Sequence, residues 1–183
     1  DLIRPTQYDH VDIIPANGYL MKTDMNLLLK EDENQVTRLR DALREVGNAY
    51  DYCICDCGRL LDMVVINIIL ASDLIIAPVT VGGFEIGALQ NLDEQIEDLK
   101  DINPDMRIKV LMTMRQKNKT SIEVEQWLRK ESGFDMFGTV IRRSIVAEKA
   151  TTAMLPVPVF AKKGIVSQDY RAAVAELVCE MEG

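Results

Sequence analysis

The sequence predicts an α/β fold, a three-layer, doubly wound, mainly parallel sheet. Three observations carry that expectation. Short apolar runs alternate with longer amphipathic segments along the chain, and strands that alternate with helices imply right-handed crossovers around a parallel sheet. One run, Leu74-Ile75-Ile76-Ala77, is apolar without a break, as in a strand covered by helices on both faces. With 183 residues, 48% of them hydrophobic, the chain can bury one sizeable core and reads as a single α/β domain over 1–183.

The elements follow in order. Val11 to Ile14 is a strand closed by the turn Pro15-Ala16-Asn17-Gly18. Thr23 to Lys30 is a helix. Asp32 to Val46 is another, with Val36, Leu39, Leu43 and Val46 at helical spacing and Gly47 as its stop. Tyr52 to Asp56 is a strand and Leu60 to Ala71 a buried helix. Leu74 to Ala77 is a strand ended by Pro78. Phe84 to Ile102 is a long amphipathic helix, entered through Gly82-Gly83 and left at Asn103-Pro104. Ile108 to Met114 is a strand. Ser121 to Lys130 is a helix whose Trp127, with Ile122 and Val124 nearby, belongs to the core. Thr139 to Ile141 is a strand and Ser144 to Ala150 a short helix. Val157 to Phe160 is a short strand or extended segment, and Ser167 to Met181 the closing helix.

Acidic residues outnumber basic ones, 29 to 21, for a formal charge of -8. That balance excludes a protein that coats nucleic acid with its whole surface, although a local patch is compatible with it. Arg115, Lys117 and Lys119 form a small basic loop that reads as solvated. The chain opens on Asp1 and shows no basic-then-apolar signal segment. Its longest apolar stretch, 63–71, is interrupted by Asn67 and is too short to span a bilayer, so no membrane contact and a cytoplasmic location are expected. Cys53, Cys55 and Cys57 alternate, which puts them on one face of a strand. They read as buried reduced thiols rather than a zinc site, because the spacing fits no finger pattern and His10 is the single histidine.

Open parallel sheets bind ligands beyond the carboxyl ends of their strands. The residues of interest are therefore Asp56 and its followers, 78–83, 113–119 and 141–144. Asp56 ends the run Tyr52-Cys53-Ile54-Cys55. A carboxylate there can hold Mg²⁺, directly or through water, beside a nucleotide's phosphates. It can equally cap a turn or helix, and the residues alone leave both readings open.

The segment from Tyr50-Asp51-Tyr52 through Asp56-Cys57 resembles the "YDYIIIDCPP" segment of the ParA/Soj/MinD family of deviant-Walker P-loop ATPases. The likeness continues through Ala71-Ser72-Asp73-Leu74-Ile75-Ile76-Ala77-Pro78-Val79, similar to the family's "AAD…LIPV" strand. Leu111-Met112-Thr113-Met114 is similar to "LLTMY", and Thr139-Val140-Ile141-Arg142-Arg143 to "TVIPR". Upstream, Val11 to Asn17 resembles "LDLIPAN". No single motif is specific, but the ordered set covers nearly the whole chain.

The resemblance implies a ParA-type ATPase that partitions plasmid or chromosomal DNA. It implies ATP and Mg²⁺ as cofactors, ATP-dependent homodimers, non-specific DNA binding, and hydrolysis stimulated by a ParB-like partner. It also implies site roles: Asp56 acting on Mg²⁺ through water, Thr113 and Met114 near the adenine ring, and Arg143 near the same pocket. No catalytic base is implied for these residues. Departures accompany the likeness. No G-x-x-x-x-G-K-[ST] motif occurs, and Gly82-Gly83 lacks the lysine and hydroxyl that would make it a substitute. The chain is accordingly expected to be the carboxy-terminal portion of such an ATPase, binding nucleotide poorly or not at all by itself and self-associating through uncovered core. The family's Pro-Pro is Gly58-Arg59 here, and the proline of "TVIPR" is Arg142, while Arg143 keeps the family arginine. Two alternatives stand beside this reading: a degenerate interaction module, and a MinD-like membrane regulator. The acidic stretch 175–183 opposes the latter.

Overall fold

The computed structural model describes residues 2–29, 34–58, 60–81, 87, 89–92, 94, 97 and 99–182. They fall into two compact units, Asp1–Ser72 and Asp73–Gly183.

In the first unit, β1 (Arg4–Pro5) pairs antiparallel with β2 (Asp12–Ile13), Arg4 opposite Ile13. The Thr6 hydroxyl donates to the Val11 carbonyl at 2.6 Å and closes the loop between them. The expected strand at 11–14 is thus two residues long and exposed. The turn that follows uses Asn17, whose Oδ1 accepts from the Tyr19 amide at 2.9 Å. It leads into α1 (Leu20–Leu29), three residues earlier than expected. Helix α2 (Arg38–Val46) starts later than the expected Asp32. Residues 30–33 lie outside the described residues, and 34–37 form turns. A 3₁₀ turn, Gly47–Ala49, follows the glycine stop.

Helix α3 (Met63–Ala71) begins where Asp62 caps it, the carboxylate accepting from the Val65 amide at 2.8 Å. That cap is why the helix does not start at Leu60, which is exposed. Met63, Val65, Ile69 and Leu70 are buried, and α1 and α2 both pack against α3. Asn67 is buried too, and its amide is fully used. It donates to the carbonyls of Met63 and Gln35, both at 2.9 Å, and accepts from the Leu39 amide at 3.3 Å. One polar side chain thereby fixes the start of α2 against α3.

The strand expected at Tyr52 to Asp56 does not form. Residues 52–58 belong to no ladder and are exposed, Ile54 to 89%. Extended backbone must trade its hydrogen bonds with a neighbouring strand, and among the described residues no strand pairs with it. The cysteines are therefore exposed rather than buried.

In the second unit, β3 (Leu74–Val79) pairs in parallel with β4 (Arg107–Met112), Leu74 opposite Arg107. Pro78 lies inside β3 instead of ending it. The Arg107 and Thr113 amides donate to the carbonyls of Asp73 and Val79, so odd-numbered residues of β3 face β4. The missing Pro78 amide points away from β4 and breaks no bond to it. The helix expected over Phe84 to Ile102 lies partly outside the described residues, as do Gly82 and Gly83. Residues 87, 89–92, 94 and 97 are helical, and 99–102 form a turn.

Helix α4 (Lys119–Lys130) is capped by Asn118, which accepts from the Ser121 amide at 2.8 Å. Helices α5 (Ile145–Thr152), α6 (Val157–Phe160) and α7 (Ile165–Glu182) complete the unit. Segment α6 is a helical turn rather than the expected extended piece, since Pro158 near its start carries a helical φ and needs no amide there. Alternate residues of β4 face opposite sides. Ile108 and Val110 join Leu128, Val124 and Trp127 in one core, and Leu111 joins Ile141, Val166, Ala173 and Val146 in another. Strand β4 is thus covered by helices on both faces, a three-layer arrangement within this unit, whereas β3 buries Ala77 and Val79 but leaves Ile76 and Pro78 exposed.

The expected strand Thr139 to Ile141 runs beside β4, its Ile141 amide donating to the Met112 carbonyl, but forms no ladder; isolated parallel bridges flank it, Val110 with Met136 and Arg115 with Arg142. The reason lies on a distant helix. The Gly138 and Thr139 amides donate to the Glu176 carboxylate on α7, at 2.6 and 2.9 Å, and not to a ladder.

Candidate functional site

Two groups of residues are candidates, one in each unit, the second of them at the carboxyl end of the parallel pair β3–β4.

In the first unit, a cavity of ≈ 260 Å³ lies among the start of α1, residues 56–58 and the start of α3. Three carboxylates line it: Asp24, Asp56 and Asp62. Asp24 accepts from the Val64 amide at 3.3 Å and Asp62 from the Val65 amide at 2.8 Å. Both are committed to the first turn of α3, where free amides and the helix dipole favour anions. The Asp56 side chain is exposed at the same cavity. Burial pushes the Cys57 thiol up, with the carboxylates of Asp56 and Asp62 adding to it. Cys55 is pushed up to about 11, first by partial desolvation of its sulfur, then by Cys53, to which it hydrogen-bonds, and by Cys57. The three alternating thiols do share a face.

Mg²⁺ takes oxygen ligands, keeps several waters, and is commonly held by one or two carboxylates plus phosphate oxygens. An exposed Asp56 beside Asp24 and Asp62, in a lining otherwise mostly apolar, fits that requirement through water. Among the described residues no three His, Cys, Asp or Glu side chains converge to hold a metal by themselves.

In the second unit, the end of β4 and the segment after it meet. The Thr113 amide donates to the Val79 carbonyl at 2.7 Å. Met114 follows with φ of +52°, an uncommon conformation for a side-chain-bearing residue, and is 59% exposed. Arg115 then donates its amide to the Ile141 carbonyl and accepts from the Arg143 amide, both at 3.0 Å. These two bonds bring Thr113, Met114 and Arg143 to one edge at the carboxyl end of β4. The Arg115 side chain is held at 3.2 Å by Glu125 of α4, whereas Arg143 is exposed. Asp56 belongs to the other unit.

Sequence reasoning missed what holds this edge in place. Asp169 of α7 accepts from the Arg142 amide at 3.0 Å and from its Nε at 2.9 Å, and its second oxygen takes Nη2. The Arg142 guanidinium holds the Asp169 carboxyl below the usual carboxylate range. A signal was present in the sequence: Asp169 sits three residues after Val166 and four before Ala173, on the buried stripe of its helix. A carboxylate there requires a cation, but the chain does not say which. Lys109 of β4 shows the same logic. Desolvation works against its charge, but hydrogen bonds to Glu180 and Asp135 prevail and hold its pKa above the ordinary lysine value.

A family model described as an AAA domain matches residues 1–108. The chain is 29% identical to the sporulation initiation inhibitor protein Soj of Bacillus subtilis over 86% of its own length and 62% of that protein's. It is 24% identical to the chromosome partitioning protein ParA of Myxococcus xanthus, over 97% of its own length and 63% of the relative's. The chain thus spans under two thirds of the length of these relatives. Its fold is similar to that of McdA from Cyanothece in a complex with ATP, with a TM-score of 0.81 over 97% of this chain and 70% of that one at 16% identity. The α/β class with a parallel sheet is thereby the class of the ParA-like P-loop ATPases.

Proposed function

Because the chain belongs to the AAA-domain family and is similar to the partitioning proteins ParA and Soj, we propose that it is part of a DNA-partitioning ATPase that binds ATP and Mg²⁺. The observation that carries this reading is the edge at the end of β4. There two backbone bonds of Arg115 gather Thr113, Met114 and Arg143, and Met114 holds a positive φ with its side chain in solvent. Strained, exposed residues beyond a parallel strand suit ligand contact.

In this reading Thr113 and Met114 line the adenine ring and Arg143 flanks the same pocket. Asp56 orients water on Mg²⁺, and the metal, when bound, supplies charge neutralisation to the phosphates. Asp24 and Asp62 are taken up by the first-turn amides of α3. The 183 residues carry no G-x-x-x-x-G-K-[ST] motif, and we propose that they belong with a loop-bearing part of a larger ATPase and hydrolyse no ATP by themselves. The whole protein then forms ATP-dependent homodimers in the cytoplasm, binds DNA without sequence preference, and hydrolyses ATP faster with a ParB-like partner. Among the described residues no helix is long and apolar enough to cross a membrane.

The test is the ATP hydrolysis rate of the full-length protein, alone and with DNA plus a ParB-like protein encoded beside it. Stimulation by the two together supports the reading. Tight DNA or partner binding with no hydrolysis under any condition favours the interaction module instead.

A further inference from the structure

The bond set between Arg142 and Asp169 fixes more than a side chain. Asp169, 7% exposed, takes the backbone amide of Arg142 together with the Nε and Nη2 of its guanidinium. Residue 142 lies between Ile141, whose carbonyl accepts from Arg115, and Arg143, whose amide donates to Arg115. The two flanking residues thus face the end of β4 while residue 142 faces α7. One carboxylate on α7 pins the segment from behind, and Arg115 holds it from the front.

We infer that the Arg142–Asp169 pair is a positioning clamp that sets the spacing between Thr113-Met114 and Arg143, and through it the base preference of the nucleotide site. This rests on the proposed ATP site. The chain carries Arg142 where the similar family segment has proline. Proline would hold that backbone by its fixed φ. Here a forked ion pair holds it instead, and the pair can be undone by changing one atom of a residue outside the edge. The Arg142 amide bonds to Asp169 and to no strand, so proline at 142 costs β4 no hydrogen bond.

Affinities of the full-length protein for ATP and GTP, with Mg²⁺, test the clamp. Global loosening changes the binding-competent fraction for both nucleotides alike, whereas a moved edge changes their ratio. Asp169→Asn is expected to shrink the ATP-over-GTP preference by about tenfold, as a misplaced contact of ångström scale does. Arg142→Lys, which keeps a cation but not the fork, shifts it the same way and serves if Asp169→Asn does not fold. Arg142→Pro combined with Asp169→Ala restores the preference, because ring rigidity replaces the ion pair and no buried charge is left alone. An unchanged ratio in Asp169→Asn and Arg142→Lys overturns the clamp, as does failure of the proline double variant to recover it. If wild type binds neither nucleotide, the proposed ATP site itself falls, and the clamp with it.

Discussion

Asp169 and Arg142, 27 residues apart, share a main-chain bond of 3.0 Å and a side-chain bond of 2.9 Å. Glu176, two turns further along α7, accepts the Gly138 and Thr139 amides, and Glu180 takes Lys109 and Arg107. One face of one helix thus ties down the segment 138–142 and the strand beside it by charge.

These bonds set the acid response. The Asp169 carboxyl lies below its ordinary 3.8, chiefly through the hydrogen bonds of Arg142. Burial acts to raise that of Glu176, but the Thr139 and Gly138 amides outweigh it and leave it below 4.5. A carboxyl whose pKa is lowered by folding stabilises the fold fully above its unfolded value and loses that contribution as pH falls through the folded one. Stability should therefore hold from neutrality to about pH 5 and decline below it. Urea midpoints at a series of pH values check this. Asp169→Asn should lower the midpoint at pH 7 and flatten the acid decline, and equal declines in both proteins would refute the assignment.

Leu70 and Leu128 are the fully buried leucines of the two units. Either one changed to Ala should cost about 2–5 kcal/mol, by lost transfer energy and the cavity left behind. Denaturant unfolding measures it, and a loss under about 1 kcal/mol would contradict the packing described.

The Asp62 cap gives a smaller, local effect. Asp62→Ala removes the acceptor of the Val65 amide and should cost about 1 kcal/mol, with faster amide exchange confined to the first turn of α3. Unchanged exchange there would mean the cap is not formed.

Cys55, pushed up to about 11, holds little thiolate near neutrality. Iodoacetamide at pH 8 should modify it more slowly than a small free thiol despite its exposure, and the rate should climb as pH approaches 11. Rapid labelling at pH 8 would place that sulfur in different surroundings.

Much of the architecture was legible in the sequence. Apolar spacing located α3, α4 and α7 to within a few residues, because a buried stripe such as the one around Val166 is local, while the starts set by the Asp62 and Asn118 caps were missed by two or three residues. The unbroken Leu74 to Ala77 run was legible as a strand, but not as one with its Ile76 face exposed. The failures occurred where a distant group decided. Tyr52 to Asp56 has the alternation of a strand but no described neighbour to pair with. Thr139 to Ile141 lost its ladder to Glu176, 37 residues away from Thr139. The edge formed by Thr113, Met114 and Arg143 was expected from resemblance to known ATPases, but the Arg115 bonds that build it and the Asp169 pair behind it had no linear signature.

The most direct measurement is ATP binding to the full-length protein with and without Mg²⁺, in wild type and in Asp56→Asn. The account predicts that Mg²⁺ tightens ATP binding in wild type and that Asp56→Asn removes most of that gain while leaving metal-free binding unchanged. Mg²⁺-dependence of equal size in both proteins, or no ATP binding in either, would contradict it.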